Sequence, residues 1–128
     1  MDITIEQFQA YLADRYKEWG TTEGLFIKLI EEIGEVAEVI NTQNGSKYAE
    51  GDESLEYELA DALHYLLAIA SINNIDLTRI ILEKDKKASV KYGHDVNLEE
   101  FVKQTLVENI LCRPVELKYN VLVIPKSL

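Results

Sequence analysis

Ile5, Phe8, Leu12 and Tyr16 recur at intervals of three and four residues, the spacing that lines up side chains along one side of a helix. Thr4 and Gln7 stand before them at capping-box spacing, so the pattern predicts a first helix over about 5–18. "WGTTEG" breaks it, and Thr22 is placed to cap a second helix that runs to about Gln43. "NTQNGSKYAEGDES" is polar, holds two glycines and reads as a loop. A third helix follows from about Leu55 to Ile72, where Asn73 and Asn74 interrupt the periodicity. Asp76 is then placed to cap a fourth helix ending near Lys91. "YGHDVN" is a turn. Asn97 with Glu100 repeats the capping-box spacing and starts a fifth helix to about Leu111, which Pro114 stops. The tail "VELKYNVLVIP" is rich in β-branched residues and reads as a strand or an extended arm. The expected fold is all-α: a bundle of four to five helices in one domain, 1–128, with a short extended C-terminal tail. The chain has no internal repeat, low-complexity segment or linker.

The second helix carries an unusual number of acids. At about 100° per residue, Leu25, Leu29, Ile33, Val36 and Ile40 fall on one side, with Glu31, Glu35 and Glu38 opposite and Glu32 at the border. Taken alone this is a solvated acidic face. The third helix, "LEYELADALHYLLAIASI", is apolar almost all round, as buried helices are, yet it contains Glu58 and Asp61 three residues apart. Like charges at that spacing repel, and partial burial raises the cost unless a cation or donors compensate.

Composition narrows what those acids do. The chain has 128 residues and is 47% hydrophobic, enough for one modest core. Its formal charge of −10 repels polyanions, and no Lys/Arg cluster offsets it, so a nucleic acid polymer or an anionic membrane is not an expected partner. A small phosphate compound remains compatible, because a divalent cation inverts the local charge. The single cysteine, Cys112, excludes an intrachain disulfide. "MDITIEQFQ" lacks a signal-peptide pattern and "YLLAIASI" is too short to span a bilayer, so a cytoplasmic location is expected. With little basic charge near Glu58 and Asp61, a divalent metal on hard oxygen ligands is one solution, and an acidic surface edge or an interface ion pair is another. Asp61 and His64 carry half of a di-iron bundle motif, but the second copy is missing, which leaves His64 as a packed or interface histidine. No Walker, Rossmann or nucleophile-elbow pattern is present.

"EEIGE" at 31–35 followed by "ELAD" at 58–61 resembles the EExxE and ExxD pair of the MazG-like nucleotide pyrophosphohydrolases, in the all-α NTP pyrophosphatase superfamily. The likeness extends over about 25–92 through "GEVAEVI", "DALHYLLAIA" and "NIDL". "LEKDKKASVKY" echoes a family pattern of Lys, then Asn, then Arg-Tyr: Lys84, Lys91 and Tyr92 fit it, and Ala88 stands where an asparagine is common. The resemblance implies a bundle completed by oligomerisation, as a homodimer or homotetramer. It also implies cleavage of a nucleoside triphosphate between the α and β phosphates, with Mg2+, or Mn2+ in its place. It makes Glu32, Glu35, Glu58 and Asp61 the metal ligands. Glu35, with Glu31, becomes the acid that handles the attacking water. Lys84 and Lys91, together with Tyr92, are then expected to meet the substrate, and Trp19 is placed to stack on its base. Two alternatives stay open: a phosphoribosyl-ATP pyrophosphohydrolase, which shares fold and acids, and a non-catalytic helical interaction protein.

Overall fold

The computed structural model describes residues 1–43 and 54–111, so the expected loop after the second helix and the expected C-terminal arm lie outside the described residues. Five helices are present, and no strand occurs among the described residues: α1 (Ile5–Tyr16), α2 (Thr22–Gln43), α3 (Leu55–Ile72), α4 (Leu77–Tyr92) and α5 (Leu98–Leu111). Their starts are set by local capping chemistry. Thr4 Oγ1 accepts the Gln7 N–H at 3.0 Å, and Gln7 Oε1 accepts the Thr4 N–H at 2.9 Å. Thr21, one residue earlier than expected, caps α2: its hydroxyl accepts the Gly24 N–H at 3.0 Å and its carbonyl accepts the Leu25 N–H. Ser54 caps α3 through the Tyr57 N–H, and Asn97 caps α5 through the Glu100 N–H at 2.9 Å.

α1 ends two residues short of the expected stop. Gly20 donates its N–H to the Tyr16 carbonyl at 2.8 Å, and a Cβ at Gly20 would lie 2.7 Å from that of Tyr16, so only glycine fits where the chain turns. α3 closes on Asn74, whose φ of 56° lets the Ile75 N–H reach back to the Ala70 carbonyl.

The contacts divide into two units, Met1–Thr78 and Arg79–Leu128. In the first, α1 and α2 both pack on α3. Leu12, Tyr16, Leu25, Leu67 and Ala68 form the buried cluster, with Phe8, Tyr65, Ile69, Ile72 and Leu77 packed around it. Gln9 fastens the turn after α3 to α1, donating to the Ile75 carbonyl at 2.7 Å and accepting from the Leu77 N–H at 3.2 Å. In the second unit the Leu98 N–H donates to Asp85 Oδ2 at 2.6 Å, and α5 has no buried residue.

The buried side of α2 differs from the one expected. Leu25, Leu29 and Val39 are buried and Glu32 and Val36 half-buried, spaced four, three, four and three residues apart, as in a coiled-coil seam. Ile33 and Ile40, expected in the core, are 50% and 41% exposed. α3 covers an arc rotated toward Glu32, and the arc holding Phe26, Ile30, Ile33 and Ile40 is left open. α3 has an open stripe of its own in Leu59, Leu63 and Leu66.

Candidate metal centre and adjoining cavity

Glu32 on α2 and Glu58 and Asp61 on α3 place one carboxylate oxygen each so that the three lie within 4.8 Å of one another. The i, i+3 spacing puts Glu58 and Asp61 on one side of α3, and the α2 seam carries Glu32 to them. Glu58 is only 9% exposed, Glu32 half-buried and Asp61 exposed, so the group runs from the helix interface to solvent. The electrostatics match that crowding. Burial, then the negative charges of Asp61, Glu31 and Glu35, raise the Glu32 carboxyl above the ordinary glutamate range, and Lys28 only partly opposes them.

The other expected residues differ in exposure and in the partners they engage. Glu35, half-buried one turn after Glu32, acts on it electrostatically, but its oxygens do not join the three within that span. Glu31 is exposed and pairs with Lys28 at 2.7 Å. Trp19, 66% exposed, rests edge-on against Tyr16 with ring centres 4.9 Å apart. Lys84, Lys91 and Tyr92 lie exposed on α4, where the Lys91 ammonium stands 5.2 Å from the Tyr92 ring centre. Ala88, half-buried on the same helix, offers no polar side-chain contact.

A cavity of about 240 Å³ opens beside the acids, walled by Tyr16, Trp19, Leu25, Lys28 and Tyr65, with Gly24 leaving room at its edge. Tyr65 joins the two features. Its hydroxyl is shifted upward first by burial, then by Tyr16, and also by Glu32 and Asp61 of the acid group. His64 stands behind the cavity wall, with Nε2 2.7 Å from the Tyr16 hydroxyl and its ring packed edge-on against Phe8, Tyr16 and Tyr65. Burial, with a smaller push from Arg15, lowers the pKa of His64 below the ordinary histidine range. The ring is therefore neutral at pH 7. Sequence reasoning passed over Tyr16, Lys28 and Tyr65. Lys28 alone left a trace, in its i, i+3 spacing from Glu31.

Chemically, three hard oxygen donors at this separation suit a small divalent cation, and an aromatic recess beside them suits a planar ring. No single helix among the described residues is long and apolar enough to cross a membrane. A comparison with curated proteins gives no significant match. Among solved structures, the chain is similar to the crystal structure of iMazG from Vibrio DAT 722, with 30% identity and a TM-score of 0.53. The likeness covers 70% of this chain and 98% of that one. Residues 21–94, which include α2, α3 and every member of the acid group, match the model of the MazG nucleotide pyrophosphohydrolase domain. The chain belongs to the MazG nucleotide pyrophosphohydrolase family.

Proposed function

We propose that the protein hydrolyses nucleoside triphosphates between the α and β phosphates, releasing the nucleoside monophosphate and pyrophosphate, with Mg2+ or Mn2+ as the cation. The observation that carries this reading is the Glu32, Glu58 and Asp61 group, held between two helices within the matched family region. The donor set fits: all ligand atoms are carboxylate oxygens, and Lys28, the basic side chain on this stretch of α2, is engaged by Glu31. When bound, the cation neutralises phosphate oxygens and lowers the pKa of water in its shell.

Glu32, Glu58 and Asp61 bind on this reading, and Glu35 completes the set from the next turn of α2. Glu35 also accepts a proton from the water whose oxygen attacks the α phosphorus. The bond from that phosphorus to the bridging oxygen breaks and pyrophosphate leaves with the electron pair. Glu31, steadied by Lys28, orients the water. Lys84 and Lys91 meet the outer phosphates, Tyr92 supports them, and Trp19 stacks on the base at the cavity mouth. The open apolar arcs of α2 and α3 are covered by another copy of the chain, as a homodimer or homotetramer, because patches of that kind seldom remain exposed. The enzyme works in the cytoplasm on the nucleotide pool.

The test is product analysis by phosphorus NMR with standard and modified deoxynucleoside triphosphates in magnesium. Pyrophosphate with monophosphate is expected. Orthophosphate with diphosphate, or no turnover of any triphosphate, would overturn the reading.

A further inference from the structure

His64 and Tyr16 are 48 residues apart, on different helices, and joined by one hydrogen bond of 2.7 Å. Its surroundings give that bond leverage. Tyr16 is buried and walls two cavities, the aromatic recess of about 240 Å³ toward Trp19 and Tyr65 and an open one of about 480 Å³ toward Lys17 and Asn74. Tyr16 therefore borders both spaces, and its placement helps set the shape of each. At the base of the side chain Gly20 packs so closely that a Cβ there would lie 2.7 Å from the Tyr16 Cβ. On its far edge, Trp19 rests against it, and His64 itself packs on Tyr65, the opposite wall of the recess. A neutral imidazole carries one proton, so either the tyrosine hydroxyl donates to Nε2 or the Nε2–H donates to the hydroxyl. In both cases each group is the hydrogen-bond partner of the other.

We infer that His64 and Tyr16 form a positioning pair that fixes the shape of the aromatic recess, and so sets the affinity for the base of the nucleotide without taking part in the phosphate chemistry. This rests on the proposed function insofar as the ligand is a nucleotide. His64 touches the recess walls rather than its contents. Loss of either partner leaves a half-buried polar group to seek water in the recess, whereas replacing both by apolar rings removes the demand altogether. A non-additive pattern follows.

Trp19 is the sole tryptophan of the chain and stands at the recess, so its fluorescence reports on occupancy. Adenosine and cytidine monophosphates, titrated without divalent metal, should change that signal saturably. Tyr16→Phe and His64→Phe should each weaken binding about three- to tenfold, the scale of one neutral hydrogen bond. The double variant should bind no worse than either single one, and His64→Gln, which can still meet the hydroxyl, should stay within about twofold of the parent. In turnover the single variants should raise KM by the same factor and leave kcat unchanged. Tyr16→Phe keeps the core volume, so the case does not depend on the histidine variants folding. Equal affinity in all variants, multiplicative losses in the double variant, or pyrophosphate release with no fluorescence response to either monophosphate would overturn the positioning pair. Saturable binding with the expected pattern but no triphosphate turnover would uphold the pair and refute the proposed function.

Discussion

α2 has two apolar arcs, and they have opposite fates. The one through Leu25, Leu29, Val36 and Val39 lies against α3, while the one through Phe26, Ile30, Ile33 and Ile40 lies open. The open arc is the purer of the two. The covered arc contains Glu32 in line with its leucines and valines, and Glu35 at its edge. Hydrophobicity therefore does not identify the side of a helix that its own chain buries. Here the covered side is the one that has to bring acids on two helices together, and the purer arc is left exposed on the single chain.

The contrast can be broken by substitution, beginning with its chemistry. Glu35→Gln is expected to lower pyrophosphate release about 10²- to 10⁴-fold, the usual contribution of a positioned proton acceptor, with circular dichroism unchanged. Turnover within a few-fold of the parent would remove Glu35 from that role. On the covered arc, Leu29→Ala should cost about 2–5 kcal/mol in urea unfolding at every protein concentration, because it opens a cavity in the helix interface. On the open arc, Ile33→Asp should leave the helical signal intact while light scattering falls to a single chain of 14.6 kDa. An unchanged mass would show that this arc is not the contact.

The acid in the covered arc gives a smaller effect with a definite sign. The Glu32 pKa is raised in the fold, so its stabilising contribution is present below its unfolded value of 4.5 and lost as pH rises through the folded value. Without divalent metal, Glu32→Gln should therefore melt higher than the parent at pH 7, the gap narrowing as pH falls. Magnesium should raise the parent and not the variant. His64 works the other way: its pKa is lowered, so its contribution is present above 6.5 and lost as pH falls through the folded value. A gap between parent and Glu32→Gln that widens on acidification would contradict the assignment. The smallest change is Gly34→Ala. A Cβ there meets nothing within 4 Å, so about 0.5–1 kcal/mol of helix propensity should be gained. A loss in chemical unfolding would mean that another chain approaches the glycine closely.

Much of this was legible in the sequence, and the physical reason is range. Capping pairs such as Thr4 with Gln7 and Asn97 with Glu100 act within one turn, so the helix starts could be read to within a residue or so. Glu58 and Asp61 were legible for the same reason, since their spacing alone puts them on one side of α3. The covered arc of α2 was legible only in part: Leu25, Leu29 and Val36 were expected on it, but the exclusion of Ile33 and Ile40 depends on where α3 lies, which is a matter of tertiary packing. Tyr16 and His64 were harder still: each is an ordinary member of an apolar pattern until the fold brings them to 2.7 Å.

The seam of α2 also has a consequence for how the two long helices find their alignment. Leucine and valine layers are nearly interchangeable, so a pair of helices joined only by them can slide by a heptad at little cost. An acid layer in the middle is not interchangeable. Slipping α2 by two turns toward the C-terminal end of α3 would carry Glu32 away from Glu58 and Asp61 and strand it against hydrocarbon, where a carboxylate without compensation is costly. The carboxylates thus act as an index mark along an otherwise uniform surface, and the same three groups that crowd each other in the native arrangement penalise the shifted ones more.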